Sequence, residues 1–413
     1  MSPEIEDLLR AEAPQVLGAL VRRLGRFDLA EDAVQEALLA AARSWPREGV
    51  PREPRSWLIR VGYRRMVDLL RSDRSRRLRE ERAGAAEAAL LHPGRSAPPA
   101  PEADDSLTLL LLCCHPALGP ASRAALTLRA VGGLTTAEIA RAYGTTEAAM
   151  GTRIGRAKRR LASAGARFTP PVGDDLEQRL ASVMQVLYLV FNEGYTATSG
   201  ASLSRTDLSG EAIRLARMLG ELRPHDGEAA GLLALMLLTE ARGPARTGSG
   251  DELLTLDHQD RSRWDRALIR EGTALLDAAW DPREAGPYRL QAAVAAVHAA
   301  APSPRDTDWT RIAVLYLWLE RLSPSAPVRL ARVAAVSRAY GAGRGLALLA
   351  DLDRRHGLAQ DPLTRRRHPA VLAHLLEETG ETGAAAAAYR RAAALAANPV
   401  EEGYLLDRAD RLD

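Results

Sequence analysis

The stretch Leu134–Leu161 constrains this chain most: it reads as two short helices joined by a tight turn, the second loaded with cations. Thr135-Thr136-Ala137-Glu138 has the form of a capping box, in which the Thr135 hydroxyl meets an orphan amide and Glu138 reaches back. Ile139, Ala140 and Tyr143 follow before Gly144, a residue that tolerates the backbone of an inter-helix turn. Thr145 or Thr146 then caps a helix in which Met150, Ile154, Ala157 and Leu161 form the buried stripe. The other faces carry Thr152, Arg153, Arg156, Lys158, Arg159 and Arg160, groups suited to phosphates and base edges in a major groove. Charge runs on helices usually mean only a solvated face. Here cap, turn spacing and basic second helix coincide, which favours a DNA-reading helix-turn-helix.

Composition sets the class of fold. Of 413 residues 46% are apolar but only 4% aromatic, and alanine is abundant, so the chain is expected to be all-α, with helices packed through small side chains. Lys158 is the one lysine among 56 basic residues, so arginine abundance by itself is no sign of nucleic-acid binding. Residues 1–170 carry 27 basic and 20 acidic side chains and the remainder 29 and 33, a basic front and an acidic rear. Cys113 and Cys114 are adjacent, a spacing that suits neither a disulfide framework nor a metal site, and they are expected in the core of a protein from a reducing compartment. No cofactor is expected. The polar N-terminus lacks a signal-peptide pattern, and the longest apolar runs, Leu107–Cys114 and Gly231–Leu238, are too short to span a bilayer. A cytoplasmic protein without membrane contact is the expectation.

Along the chain, residues 1–80 read as three helices. Leu9, Ala13, Val16, Leu17, Leu20, Val21 and Leu24 form the stripe of the first. The second opens with Asp28 and Glu31 as cap and third residue, buries Val34, Ala37, Leu38, Ala41 and Trp45, and shows Asp32, Gln35 and Glu36 on its opposite face. A loop with Pro46, Pro51 and Pro54 leads to a helix expected over Arg55–Arg74, with Ile59, Tyr63, Met66, Val67 and Leu70 inward. On another side of it Trp57 heads Arg60, Arg64 and Arg71, a stacking ring followed by charge, as single-stranded nucleic acid requires. Residues 81–104, ending in Pro/Ala-rich sequence, read as a linker. Asp104 and Asp105 cap a helix through His115, and residues 105–167 form the helix-turn-helix domain. After Thr169-Pro170-Pro171, residues 168–413 read as stacked helices. Within them Gly380, Ala385, Tyr389 and Ala392, stopped by Asn398-Pro399, fall at tetratricopeptide-like spacing, as do Ala212, Ala216, Leu219 and Pro224.

In this order the pieces resemble the extracytoplasmic-function sigma factors. Asp28–Trp45 is similar to that family's clamp-docking helix, Pro54–Arg71 to its promoter-melting helix, and Leu134–Leu161 to its −35-reading helix-turn-helix. Cys113–Leu118, Val186–Tyr195 and Asp260–Ile269, with the repeat-like tail, further resemble the subgroup bearing a long C-terminal tetratricopeptide-like extension. The resemblance implies a non-enzymatic specificity subunit partnered by the RNA polymerase core and promoter DNA. It assigns Asp28, Glu31, Asp32, Gln35 and Glu36 to the polymerase; Trp57, Arg60, Arg64, Arg65 and Arg71 to the −10 region; and Thr152, Arg153, Arg156, Lys158 and Arg159 to the −35 element. It also implies that the rear substitutes for a separate regulatory partner; the charge split and the Phe191–Tyr195 stretch suggest that the acidic residues 172–413 do so by contacting the basic front. Two departures stand out: Gly151 and Gly155 replace side chains able to reach DNA, and Arg64 stands where the melting helix commonly holds asparagine.

Two other readings fit parts of the pattern. A helix-turn-helix regulator would bind an operator without polymerase, and a repeat scaffold would carry its basic front incidentally. An enzyme is least supported, because the eight histidines are scattered and no phosphate-loop glycine pattern is present.

Overall fold

The computed structural model describes residues 3–80, 105–195, 206–247, 254–396 and 399–412. The expected linker 81–104 lies outside them. Among the described residues every regular element is helical, and no helix is long and apolar enough to cross a membrane. The chain divides into two compact units, residues 1–189 and 190–413.

In the first unit, α1 (Pro3–Leu24), α2 (Phe27–Glu48) and α3 (Pro54–Glu80) pack as a three-helix group. The expected stripe of α1 is buried except for Leu24, which is half-buried at the helix end. Three local expectations are corrected. Arg26, not Asp28, occupies the N-cap of α2, because Phe27 is already buried and helical while the Asp28 carboxylate is held by the Arg26 guanidinium at 3.0 and 2.8 Å. Pro46 lies inside the last turns of α2 rather than in the loop. And α3 extends beyond Arg74 to Glu80, since its Arg/Glu-rich continuation contains no helix breaker.

Next come α4 (Ser106–Cys113), α5 (Pro120–Ala130), α6 (Thr136–Ala142), α7 (Glu147–Ser163) and the start of α8 (Asp174–Tyr195). Asp105 stands at the N-cap of α4 without making a cap hydrogen bond; its carboxylate pairs with Arg22 of α1 instead, and Asp104 lies outside the described residues. α4 is apolar all round and buried with both cysteines, as a central helix must be. Burial raises the Cys113 thiol well above its ordinary value and pushes Cys114 up to about 12, so both stay protonated and inert.

The second unit holds α9 (Thr206–Leu222), α10 (Gly227–Glu240), α11 (Arg266–Ala279), α12 (Pro287–Ala300), α13 (Trp309–Leu322), α14 (Ala326–Tyr340), α15 (Ala342–His356), α16 (His368–Glu378), α17 (Thr382–Ala393) and α18 (Pro399–Asp410). Mostly, each helix packs on its sequence neighbour, and the buried α10 also packs against α12 as well as α9 and α11. Ala385, Tyr389 and Ala392 are buried on α17 facing α16 and α18, but α17 stops at Ala393, ahead of Asn398-Pro399, and Pro399 begins α18. The division between units falls inside α8, about twenty residues beyond Pro170-Pro171; the helix begins at Asp174, just past the prolines, and runs continuously across the division. Within Phe191–Tyr195 Gly194 is helical, and the Phe191 and Tyr195 rings stack at 5.8 Å. The Asp260–Trp264 segment is structural. Arg261, 5% exposed, donates to the carbonyls of His298 (2.8 Å) and Ala301 (2.6 Å) and so ties off the C-terminus of α12.

Candidate nucleic-acid interface

α6 and α7 form the expected helix-turn-helix. Thr135 accepts from the Glu138 amide at 3.1 Å while Glu138 accepts from the Thr135 amide at 2.6 Å, completing the capping box. Gly144 sits in the turn at φ +58°, a left-handed backbone that a side chain would strain. Thr146, rather than Thr145, caps α7 by accepting from Ala149 at 3.2 Å. Met150, Ile154, Ala157 and Leu161 are buried. On the solvent side Thr152, Arg156 and Arg159 are exposed and Arg153 is half-buried; Arg153 and Arg156 have no carboxylate partner among the described residues. Among the described residues no neighbour lies within 4 Å of a Cβ added at Gly155, and only a Thr136 methyl at 3.8 Å meets one at Gly151, so no described neighbour requires either glycine.

α3 presents the second cationic surface. Trp57 is half-buried with its ring edge-on to Trp45 at 5.5 Å, which fixes the indole at the head of the helix. Arg60 and Arg64, one turn apart, are exposed without a carboxylate partner among the described residues. Arg71 is exposed beside Asp68 at 3.9 Å. Arg65 is committed differently: it forms a bidentate pair with Glu36 of α2 at 2.5 and 2.8 Å. One cation expected at DNA is thus joined to one acid expected at the polymerase.

The acidic face of α2 is divided by the same kind of contact. Asp32 and Glu36 are exposed and Gln35 half-buried, but Glu31 is 2% exposed. Its carboxylate accepts from Lys158 of α7 at 2.9 Å and from Arg129 of α5 at 2.7 Å. Lys158 also reaches Asp32 at 2.5 Å and the Asp28 carbonyl at 3.4 Å. Lys158 is therefore not on the solvent face of α7. It is 9% exposed, on the side that packs against α2. Burial pushes the Glu31 carboxyl up, yet the Lys158 ammonium and the Arg129 guanidinium outweigh it and hold the group below the usual carboxylate range. Burial and the neighbouring Glu31 raise Asp32 against the pull of Lys158, and the two carboxylates raise Lys158 against its own burial. A second seam reinforces the first. Gln15 donates to Ser106 at 3.1 Å, and Asp105 packs so closely on Gly18 that a Cβ there would meet it at 2.3 Å. Sequence reasoning missed Arg129; the solitary lysine on an otherwise all-arginine helix was the available signal, since a compact ammonium fits a buried acidic site that a guanidinium fork fills poorly.

Comparison with known families matches this architecture. Residues 8–76 match sigma-70 region 2 and residues 108–161 match sigma-70, region 4. The chain carries the two sigma-70 domains of a sigma factor. Its DNA-binding and polymerase-directed modules are α1–α3 and α4–α7, the parts that give a sigma factor its role in transcription initiation. Residues 179–280, from α8 through α11, match a family of unknown function (DUF6596). An uncharacterized protein of Rhizobium meliloti (strain 1021) is 41% identical over 421 residues, covering 99% of this sigma factor and 96% of the relative. No solved structure matches the chain.

Proposed function

We propose that this protein is a sigma factor of the extracytoplasmic-function type, which brings the RNA polymerase core to promoters through α2 and reads them with α3 and α7. Trp57, Arg60, Arg64 and Arg71 engage the −10 strand as it opens, the indole stacking on a base and the guanidiniums following the backbone. Thr152, Arg153 and Arg156 contact base edges of the −35 element, with Arg159 nearer the phosphates. Asp28, Asp32, Gln35 and Glu36 face the polymerase. Arg65 joins the −10 set when its pair with Glu36 opens.

The observation that carries this reading is the pairing, in one chain, of an Arg60/Arg64 stripe behind Trp57 with an Arg153/Arg156 pair on a capped recognition helix, both without a carboxylate partner among the described residues. An operator-binding regulator needs the second surface but not the first. Glu31 and Lys158 take a different role in this proposal. They hold the two modules together in a resting arrangement that separates when polymerase and promoter are engaged, and the C-terminal extension sets when this happens. Reconstituted transcription with core polymerase tests the reading. The full chain directs specific initiation, Arg60→Ala/Arg64→Ala loses opening but keeps −35 binding, and Arg153→Ala/Arg156→Ala loses both. A protein that footprints promoter DNA equally well without the core overturns it. Truncation after Tyr195, which keeps α8 whole along with its Arg123–Ser182 contact at 3.3 Å, tests the extension: unchanged output and regulation refute a regulatory role.

A further inference from the structure

The second unit contains a cavity of about 360 Å³ between α14, α16, α17 and α18, closed on one side by the turn Leu256–His258. Its volume is at the small end of the range for ligand sites, roughly 300–1,000 Å³. Most of its wall is carbon: Val371, Leu375 and Leu405 with the rings of Trp309 and Tyr404. Two guanidiniums interrupt it. Arg338 lies 5.2 Å over the Trp309 ring and spends one hydrogen bond, at 3.2 Å, on Asp257. Arg408 lies 6.0 Å from the Tyr389 ring, donates to Glu377 at 2.5 Å and also interacts with the Tyr389 hydroxyl, which itself donates to Glu377 at 2.7 Å. A guanidinium has five N–H donors, so both keep donors to spare at the cavity wall. The chemistry combines an apolar, ring-lined interior with two positioned cations. Nearby acids narrow it further, because Asp257 lines the cavity and Glu378 stands 3.7 Å from Arg338, which penalises a doubly charged head.

We propose that this cavity binds a small organic monoanion with an aromatic or branched apolar body, an aryl or alkyl carboxylate, with the head on Arg338 and Arg408 and the body against Trp309, Val371 and Leu405. The body loses water against the carbon wall, and the carboxylate takes the spare donors. The site lies entirely in the C-terminal unit, so its failure would leave the sigma-factor reading untouched.

Fluorescence titration of the full-length protein with 8-anilinonaphthalene-1-sulfonate tests it. The expected result is one saturable site, displaced by 1-naphthoate, with neutral N-phenyl-1-naphthylamine and dianionic 1-naphthyl phosphate each at least tenfold weaker. Arg338→Gln/Arg408→Gln weakens the anionic probe at least tenfold and leaves the neutral one within threefold, while Ala370→Phe, which fills the cavity, abolishes both. The unaltered protein gives an independent reading, since saturating 1-naphthoate slows amide exchange in α14, α16 and α18. Several weak sites, equal affinity for the neutral probe, or protection confined to other helices each overturn the proposal.

Discussion

Replacing Glu31 with glutamine tests whether α2 and α7 are latched. The carboxylate is 2% exposed and neutralises two cations, Lys158 at 2.9 Å and Arg129 at 2.7 Å. Removing one partner of a buried ion pair costs about 3–5 kcal/mol, because the remaining charge is left uncompensated. The lower end applies here: glutamine keeps one acceptor oxygen, and Asp32 still holds Lys158 at 2.5 Å. A loss of about 3 kcal/mol corresponds to roughly a 150-fold rise in the population of the separated state. Native-state hydrogen exchange of the full chain reads it as faster exchange at the facing amides of α2 and α7, while the buried turns of α10 are unchanged. Lys158→Met should cost about as much alone, and Glu31→Gln/Lys158→Met clearly less than the two together, because the double variant leaves fewer unpaired charges. Coupling between the two sites of about 2 kcal/mol is expected. Additivity within about 0.5 kcal/mol, or less than threefold faster exchange in Glu31→Gln, would show that the contact holds nothing together. The same variant separates two roles for Glu31. As a latch, its loss raises the rate of association with core polymerase; as a direct polymerase contact, its loss lowers the affinity.

Three further outcomes follow from the geometry. Because the Glu31 carboxyl is held low, its contribution is complete above the ordinary carboxylate range and is lost as pH falls through its depressed value; Lys158, held high, contributes below the ordinary lysine value and loses that only as pH rises through its raised one. Thermal melts of the first unit's fluorescence should therefore fall in acid, below about pH 4, where Glu31 takes its proton. Asp32, whose carboxyl is raised, takes its proton first and works in the opposite direction, so stability that only keeps rising down to about pH 3 contradicts the Glu31 contribution. Gly155→Ala should stabilise α7 by about 0.5–1 kcal/mol, since a Cβ there meets nothing within 4 Å, and a simultaneous drop in −35 duplex affinity in gel-shift titrations would mean that the backbone itself approaches DNA. Gly194→Ala should destabilise the second unit by about 1–3 kcal/mol in urea titrations, because its Cβ would fall 2.3 Å from the Ser209 amide nitrogen; an unchanged midpoint would rule out the close approach of α8 to α9.

What could be read in the sequence depended on the range of the interaction. The capping box at Thr135–Glu138, the Met150–Leu161 stripe and the all-α class are set by residues three to eleven apart, and the folded chain has them all. The family followed because three local patterns recur in a fixed order. The departures at Asp105 and Lys158 share one cause. Each is a charged residue whose local spacing offers a cap or a solvent face, and each is claimed by a partner far along the chain: Asp105 keeps its N-cap position but gives its carboxylate to Arg22 across 83 positions, and Lys158 goes to Glu31 across 127. Asp28 departs for a local reason, because Arg26, two positions before it, is the cap and takes its carboxylate.

Long-range pairing also bears on how the surfaces should be assigned. Helical periodicity gives the face of a helix but not whether solvent, DNA or another helix covers it. On α7 two rows of cations were equivalent by that criterion, and the fold separates them: Arg153, Arg156 and Arg159 remain available, whereas Lys158 is turned inward onto two carboxylates. On α2 the acids separate likewise, Glu31 inward and Asp32 and Glu36 outward, and even Glu36 is held by Arg65. A surface that binds polymerase or DNA through such groups must exchange an internal partner for an external one. The exposed pair at Glu36 is worth at most about 1 kcal/mol and exchanges readily. The buried set at Glu31 is the costlier one to part, which makes it the step that decides whether the two modules act separately.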